Sequence, residues 1–143
     1  MLLGNYTNRV SKKGRTAVPK RFRQELGKRL IITRGYEKTL MLVSEDEWQR
    51  LVKEVTNQPF IFGPARETDR FLLGNAFPVE LDDQGRFVIP PALRQYAAIK
   101  DKAVFVGMGN RVEIWEEKAW QEHQGYLEEN IAKISEKLSL EGR

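Results

Sequence analysis

The 143-residue chain is 41% hydrophobic and 31% charged, and its 24 Lys and Arg against 20 Asp and Glu give a net charge of +4 at pH 7. This composition is ordinary for a globular protein, and it excludes a membrane helix, since no apolar run approaches the roughly 18 residues that one needs. Cysteine is absent, which excludes disulfides and thiolate zinc sites. Because residues 1–5 lack the charged and apolar regions of a secretory signal, we expect a cytoplasmic protein.

The positive charge is concentrated in the first half of the chain. Residues 1–62 carry 13 Lys and Arg against 6 Asp and Glu, whereas residues 63–143 carry 11 against 14. The first half therefore has a net charge of +7 and the second half −3. Such an asymmetry indicates either a polyanion partner for one face of the first half or a basic surface that is merely solvated.

One stretch of the sequence occurs twice. Residues 11–23 hold six basic residues and no acidic one, and residues 82–94 repeat their pattern 71 positions later. Five positions share this offset, namely Ser11 with Asp82, Gly14 with Gly85, Arg15 with Arg86, Pro19 with Pro90, and Arg23 with Arg94. We interpret the chain as a tandem repeat. Because about 70 residues are near the lower limit for an independent core, we expect both halves to pack as one pseudo-symmetric unit.

The first repeat is predicted to contain four strands and two helices. Alternating or apolar runs indicate strands at 5–10, 15–18, 30–33 and 39–43. The first helix starts at Pro19, whose missing N–H costs nothing in a first helical turn, and it ends at Gly27. The second helix opens with a capping box, Ser44 with Glu47. It carries an apolar stripe made of Trp48, Leu51, Val52 and Val55.

The second repeat is predicted to follow a connector at 56–64 and a short helix at 65–73. Its strands are predicted at 76–81, 86–89, 103–107 and 111–115, and its first helix at 90–96. A long helix follows from residue 116, and its apolar stripe needs a partner surface on this chain or on a neighbouring subunit: Trp120, Leu127, Ile131, Ile134 and Leu138. This order of elements predicts an α+β fold with domains at 5–55 and 76–120 and a C-terminal helical extension at 121–143.

The paired motif resembles that of the MraZ family. The pattern D/S-x-x-G-R, a short strand, I/V-P and a helix carrying F/L-R occurs twice, and the resemblance covers nearly the whole chain. MraZ proteins are bacterial DNA-binding transcriptional regulators built from two tandem SpoVT/AbrB-like domains. The resemblance implies a small β-barrel in which the two repeats interlock as the two chains of an AbrB dimer do. It also implies a ring-shaped homo-oligomer, located at the nucleoid, that binds short G-containing direct repeats of double-stranded DNA upstream of the cell-division and cell-wall gene cluster.

The two copies differ at the first position of the motif. Asp82 and Arg86 match the family pattern D-x-x-x-R, whereas Ser11 stands where the family usually has Asp. Asp and Ser both cap turns, and glycine supplies the left-handed conformation that the end of the turn requires. We therefore expect four turn-capping residues, with the first turn held less tightly than the second: Ser11, Gly14, Asp82 and Gly85.

The basic residues of the first copy are the candidate DNA contacts: Arg15, Lys12, Lys13, Arg21 and Arg23. Loop lysines neutralise phosphates and release counterions, and an arginine fork can read guanine O6 and N7 in the major groove. Lys20, beside the helix start, is expected only to add positive potential. Arg86 is a further candidate, but its copy of the motif has no net charge, so it either touches DNA or pairs with Asp82 or Asp83 in a structural turn.

The sequence offers little support for an enzyme. His123 is the only histidine, and the carboxylates of Asp82 and Asp83 diverge because adjacent residues of a turn point apart. Phosphate-binding glycine loops, zinc-ligand spacings and nucleophile elbows are absent from the sequence. We therefore predict neither catalysis, nor a cofactor, nor a metal.

A second class of function remains as an alternative to the DNA-binding regulator. The chain could be a ring-forming scaffold or an antitoxin-like protein whose basic loops bind RNA or a protein partner. RNA-binding modules usually present exposed aromatic side chains beside their basic residues. Here Phe22 belongs to the apolar face of its helix and the loop itself has no aromatic residue, which favours duplex DNA.

Overall fold

A computed structural model describes residues 1–141 of the chain, and this part contains eight strands and five helices. In chain order they are β1 (Asn5–Arg9), β2 (Arg15–Ala17), α1 (Lys20–Leu26), β3 (Arg29–Arg34), β4 (Leu40–Ser44), α2 (Glu45–Val55), α3 (Gly63–Leu72), β5 (Phe77–Glu80), β6 (Arg86–Val88), α4 (Pro91–Tyr96), β7 (Lys102–Gly107), β8 (Val112–Glu116) and α5 (Glu117–Glu141). The predicted elements are all present, with bounds that differ by one or two residues. Residues 142–143, the end of the predicted extension, lie outside the described residues.

The residues predicted to end α1 and to begin α2 do so in the structure. The chain leaves α1 at Gly27, whose φ of 77° is a left-handed value that favours glycine. Ser44 caps α2, because its Oγ accepts a hydrogen bond from the backbone N–H of Glu47 at 3.2 Å. The Glu47 carboxylate accepts from Nη1 of Arg50 at 2.8 Å. The predicted capping box is therefore confirmed in its serine half.

The larger sheet interlocks the two repeats. Its six antiparallel strands lie in the order β1-β7-β8-β4-β3-β5. The β3–β4 hairpin of the first repeat thus pairs with β5 of the second, and the β7–β8 hairpin of the second pairs with β1 of the first. Strands β1, β3 and β4 of the first repeat correspond to β5, β7 and β8 of the second. When each strand is replaced by its counterpart, the same order is read in the opposite direction. The pseudo-symmetric, interlocked arrangement that the resemblance implied is therefore present.

Strands β2 and β6 form a separate two-stranded antiparallel sheet, called the ribbon below. Equivalent hydrogen bonds flank it, one from Val18 N to Gly85 O and one from Ile89 N to Gly14 O, both of 2.9 Å. Each repeat supplies one strand of the ribbon. This small sheet therefore forms only when both repeats are folded against each other.

The α+β fold is confirmed, but strand pairing does not close the predicted barrel. Within residues 1–141, β1 and β5 are the two edges of the six-stranded sheet and pair with one neighbour each. A tight turn follows each edge strand, at residues 11–14 and 82–85, and redirects the chain into the ribbon. The ribbon strands then pair with each other instead of extending the large sheet, which is why the sheet stays open.

A single hydrophobic core joins the inner face of the large sheet to the ribbon, α1 and α4. Its buried side chains come from all of these elements and from both repeats, among them Phe22, Ile32, Leu42, Phe87, Leu93, Phe105 and Ile114. Burial of apolar surface contributes roughly 25 cal/mol per Å², so this shared core ties the stability of each repeat to the other.

The outer face of the sheet is covered unequally. Helices α2 and α3 pack over a cluster around Met41 and Val43, whereas α5 contributes mainly Trp120 to a smaller cluster around Trp115. Further along α5 the apolar stripe is left open to solvent, with Ile131 52% and Leu138 70% exposed. None of the helices within residues 1–141 is both long enough and apolar enough to cross a membrane.

Candidate nucleic-acid interface

The two motif turns have the same backbone. In each turn the N–H of the first residue donates to the carbonyl of the following arginine, at 2.9 Å from Ser11 to Arg15 and at 3.1 Å from Asp82 to Arg86. In each turn the glycine N–H donates to the carbonyl of the first residue at 2.9 Å. The φ angles of the two glycines are 86° and 75°, where a Cβ would be strained. Serine in place of aspartate therefore leaves the shape of the turn unchanged.

The capping side chains hold the two turns to different extents. Ser11 Oγ accepts one hydrogen bond, from the backbone N–H of Arg15 at 3.0 Å. Asp82 Oδ1 accepts two, from the N–H groups of Gln84 at 2.9 Å and Arg86 at 2.8 Å, and its Oδ2 accepts from Arg86 Nε at 2.7 Å. These bonds stabilise the carboxylate and lower the pKa of Asp82 to about 2, with the backbone bond from Arg86 contributing most.

Arg15 and Arg86 lie on the same face of the ribbon. In the antiparallel register they are diagonal neighbours, a relation across which long side chains can reach each other. The alternate positions, Thr16 and Phe87, are buried against the core. The ribbon therefore presents two arginines to solvent, one from each repeat, on a support that the core makes rigid.

The sequence left open whether Arg86 contacts DNA or pairs with an aspartate of its turn. In the structure it pairs with Asp82. The two side chains are 44% and 43% exposed, so the pair lies at the surface. The bond uses Nε of Arg86. The terminal nitrogens, which form the fork that reads guanine, are not part of it, so the ion pair and a DNA contact are compatible.

The other predicted contacts lie around the turns. Three of them are exposed on the first turn and on α1, namely Lys12, Lys13 and Arg21. Arg23 is half-buried, and its Nε donates to the Val18 carbonyl at 2.8 Å. Its guanidinium packs on Gly85 so closely that an added Cβ there would fall 2.2 Å from Nε. Arg23 therefore lies against the second turn, although it belongs to the first repeat.

Arg94, which was not among the predicted site residues, is the counterpart of Arg23. Its Nη1 donates to the carbonyl of Lys12 at 2.9 Å, and its Nε and Nη2 donate to the carbonyls of Ile99 and Lys100 at 3.0 and 2.7 Å. An arginine of the second repeat thus holds the basic turn of the first. The 71-residue offset relates Arg94 to Arg23, but only the interlocked sheet shows which turn each one reaches.

A groove beside the first turn gathers further cations. Its lining includes Arg9, Arg15, Arg86 and Lys102, with Asp101 supplying a carboxylate. Arg9 and Lys102 were not predicted as site residues. They come from different repeats and meet because β1 pairs with β7. The signal available in the sequence was their charge alone, which does not distinguish them from other surface cations.

Comparisons with known proteins support the interpretation of the chain as a tandem repeat. A model of the family described as "MraZ protein, putative antitoxin-like" matches the chain twice, at residues 1–71 and 72–141. The chain is 36% identical over 138 residues to proteins named "Transcriptional regulator MraZ" from Caldanaerobacter subterraneus subsp. tengcongensis, Thermoanaerobacter sp. (strain X514) and Syntrophomonas wolfei subsp. wolfei. Each alignment covers 96% of this chain and 96% of the relative. The two family matches correspond to the two motif copies, and the chain belongs to the MraZ family.

Proposed function

We propose that the chain is a transcriptional regulator that binds duplex DNA through the exposed face of the ribbon and the turn at residues 11–14. The observation that carries the proposal is the pair of arginines, Arg15 and Arg86, on one solvent-facing surface beside an excess of cations. Relatives that match the chain over nearly its whole length are named transcriptional regulators. We propose no catalytic activity.

Each basic residue would have a distinct part in binding. Arg15 is proposed to read guanine in the major groove, because its side chain is exposed on the outer face of the ribbon while the alternate positions, Thr16 and Phe87, are buried. The exposed side chains of Lys12, Lys13 and Arg21 would neutralise phosphates. Arg86 would add a second base or phosphate contact through its terminal nitrogens. Arg23 stays a candidate contact, although its Nε is already bonded to the backbone.

We further propose that several copies assemble into a ring and bind short G-containing direct repeats in the promoter of the division and cell-wall gene cluster, at the nucleoid in the cytoplasm. The open apolar stripe of α5 supports self-association, because exposed apolar patches often mark protein interfaces. We assign the two SpoVT/AbrB-like repeats to residues 5–55 and 76–120, with 121–143 as an extension that would be available for assembly. Their shared core implies that neither repeat folds alone.

The alternative is a scaffold or antitoxin-like protein that binds RNA or a protein partner. The description of the matching family, which includes "antitoxin-like", favours this alternative. The ribbon face argues for duplex DNA, since its outward positions are Arg15, Ala17, Arg86 and Val88 and none of them is aromatic. Single-stranded RNA is usually bound by stacking its bases on aromatic side chains.

Selection of binding sites from a random pool of DNA duplexes would test the proposal. We expect the pool to converge on a short G-containing sequence that recurs as a direct repeat, and we expect the same repeat upstream of the chain's own gene cluster. A single-stranded RNA of the selected sequence should compete poorly. Failure of the duplex pool to converge, together with preferential binding of RNA, would contradict the proposal and support the alternative.

A further inference from the structure

The strand pair β1–β7 ends in two like charges that face each other. Arg9 and Lys102 are direct cross-strand partners, and both are exposed. Directly opposite residues of an antiparallel pair have Cβ atoms about 4.5–5.5 Å apart, and like charges at that distance destabilise a sheet. Within residues 1–141 neither cation takes part in an ion pair. Packing of the chain therefore gives no stabilising reason for this pair.

The pseudo-symmetric strand pair provides an internal comparison. At the corresponding place in β3–β5, Arg29 faces Glu80, so the charges are opposite. Beside this second pair, Lys28 Nζ and Asp83 Oδ1 form an ion pair of 2.7 Å between the repeats. The same strand pairing thus joins opposite charges at one edge and, at the other, two positive charges that form no ion pair within residues 1–141. The fold therefore does not require two like charges at this place, and their presence is specific to the β1–β7 strand pair.

Arg9 and Lys102 lie next to the ribbon. Arg9, Lys102, Arg15 and Arg86 line one groove, into which Asp101 brings a carboxylate. The backbone of Arg9 is fixed to the ribbon, because Thr16 Oγ1 donates to its carbonyl at 2.8 Å. The groove therefore holds its positive charge in a defined place immediately beside the arginine that we propose to read the base.

We propose that Arg9 and Lys102 together hold a phosphate group of the DNA backbone, next to the base contact made by Arg15. A guanidinium offers two parallel hydrogen bonds to a phosphate, and an ammonium adds a compact positive charge. The phosphate would remove the repulsion between the two cations, which the free protein tolerates at a cost in stability. This assignment rests on the proposed DNA-binding function. It extends the interface from the turn at residues 11–14 along the β1–β7 edge and leaves the β3–β5 edge outside it.

Two substitutions of Lys102 test the phosphate site with different readouts. Lys102→Gln should reduce the slope of log K against log salt by up to about 0.9 for each engaged subunit, the loss of one whole phosphate contact, because Arg9 can keep part of that contact. Lys102→Glu should weaken DNA binding further, yet raise the melting temperature of the DNA-free protein by about 1–3 °C, because it places opposite charges across β1–β7, as Arg29 and Glu80 do across β3–β5. A loss of DNA affinity that accompanies a gain in stability is not expected from a purely structural residue.

Arg29→Gln is the matched control, because it removes one positive charge from the pseudo-symmetric position. It should leave the salt slope unchanged and lower the melting temperature slightly, since Glu80 loses its partner. The probe is the duplex that the wild-type protein selects from a random pool. A wild-type slope in Lys102→Gln, or a lowered melting temperature in Lys102→Glu, would overturn the phosphate site. Absence of salt-dependent duplex binding by the wild-type protein would instead overturn the proposed function.

Discussion

Ser11 and Asp82 occupy equivalent positions and give the same turn different support. The backbone hydrogen bonds and the left-handed glycine are common to both turns, so they determine the shape. The side chains then add one hydrogen bond at Ser11 and three at Asp82. The prediction that the first turn is held less tightly agrees with this count. The first turn contains no carboxylate, so its lysines stay available to phosphates. This makes the first turn the better candidate for DNA.

The pH dependence of stability should report the hydrogen bonds of Asp82. Because folding lowers the pKa of this carboxyl to about 2, its contribution is complete above about pH 4 and is lost as the pH falls towards 2. Asp82→Asn should therefore be less stable than the wild type at neutral pH, and the difference should shrink across this window. Thermal unfolding between pH 2 and pH 7 measures both curves. Curves separated by a constant amount down to pH 2 would mean that the carboxylate does not pin the turn.

Arg94 should act on DNA binding through the position of the first turn. Arg94→Ala removes the hydrogen bond to the Lys12 carbonyl, worth about 1 kcal/mol, and should weaken specific binding about fivefold. The salt slope should not change if Arg94 itself touches no phosphate. Arg94→Lys is the control: it keeps the positive charge without the guanidinium geometry, and it should weaken binding by a similar factor. Wild-type affinity in a folded Arg94→Ala protein would contradict this role.

At the scale of the element, the ribbon is the part that local sequence patterns describe least. Each strand was predicted from its own residues, and so were the turns before them. Their pairing joins positions 71 residues apart in different repeats, and its register is set by the interlocked sheets and not by a hairpin turn. For this reason the diagonal placement of Arg15 and Arg86 was not predictable from the motif, although both residues were.

The two turns should contribute unequally to electrostatic affinity. The motif at residues 11–23 has a charge of +6, whereas that at residues 82–94 has none, and Arg86 is paired with Asp82. Neutralising both Lys12 and Lys13 should lower the salt slope by up to about two units for each engaged subunit. Arg86→Ala should lower it by less. Salt titrations of the three proteins give the comparison, and a larger change in Arg86→Ala would mean that the faces have been assigned in the wrong order.

At the scale of the whole molecule, the order of elements and the pseudo-symmetry followed from the sequence, but the open sheet and the cation groove did not. Closure depends on whether the edge strands pair with each other or turn away, and local periodicity does not indicate which of the two occurs. Arg9 and Lys102 become a pair only through the β1–β7 register. Local periodicity indicates which face of a strand is buried, but it does not indicate which charges face each other across a sheet.

Recognition by an assembled ring should depend on the spacing of the DNA repeats. One turn and one ribbon offer few base contacts, so tight binding requires several subunits that act at high effective concentration. Neighbouring subunits of a rigid ring can follow one face of DNA only if the repeats recur near one helical turn, about 10–10.5 bp. Inserting roughly half a turn between repeats should reduce affinity towards that of a single repeat, without any change in the repeats themselves. Equal affinities for the native and shifted duplexes would show that each subunit binds independently.

The most direct measurement compares Arg15→Ala with Arg50→Ala for binding to the selected duplex. Both substitutions remove one exposed arginine, but Arg15 lies on the ribbon and Arg50 lies on α2, over the opposite face of the large sheet. We expect both variants to remain folded, and we expect Arg15→Ala alone to lose about 1–3 kcal/mol of specific binding per engaged site. Retention of wild-type specificity by a folded Arg15→Ala protein, or an equal loss in Arg50→Ala, would contradict binding through the ribbon.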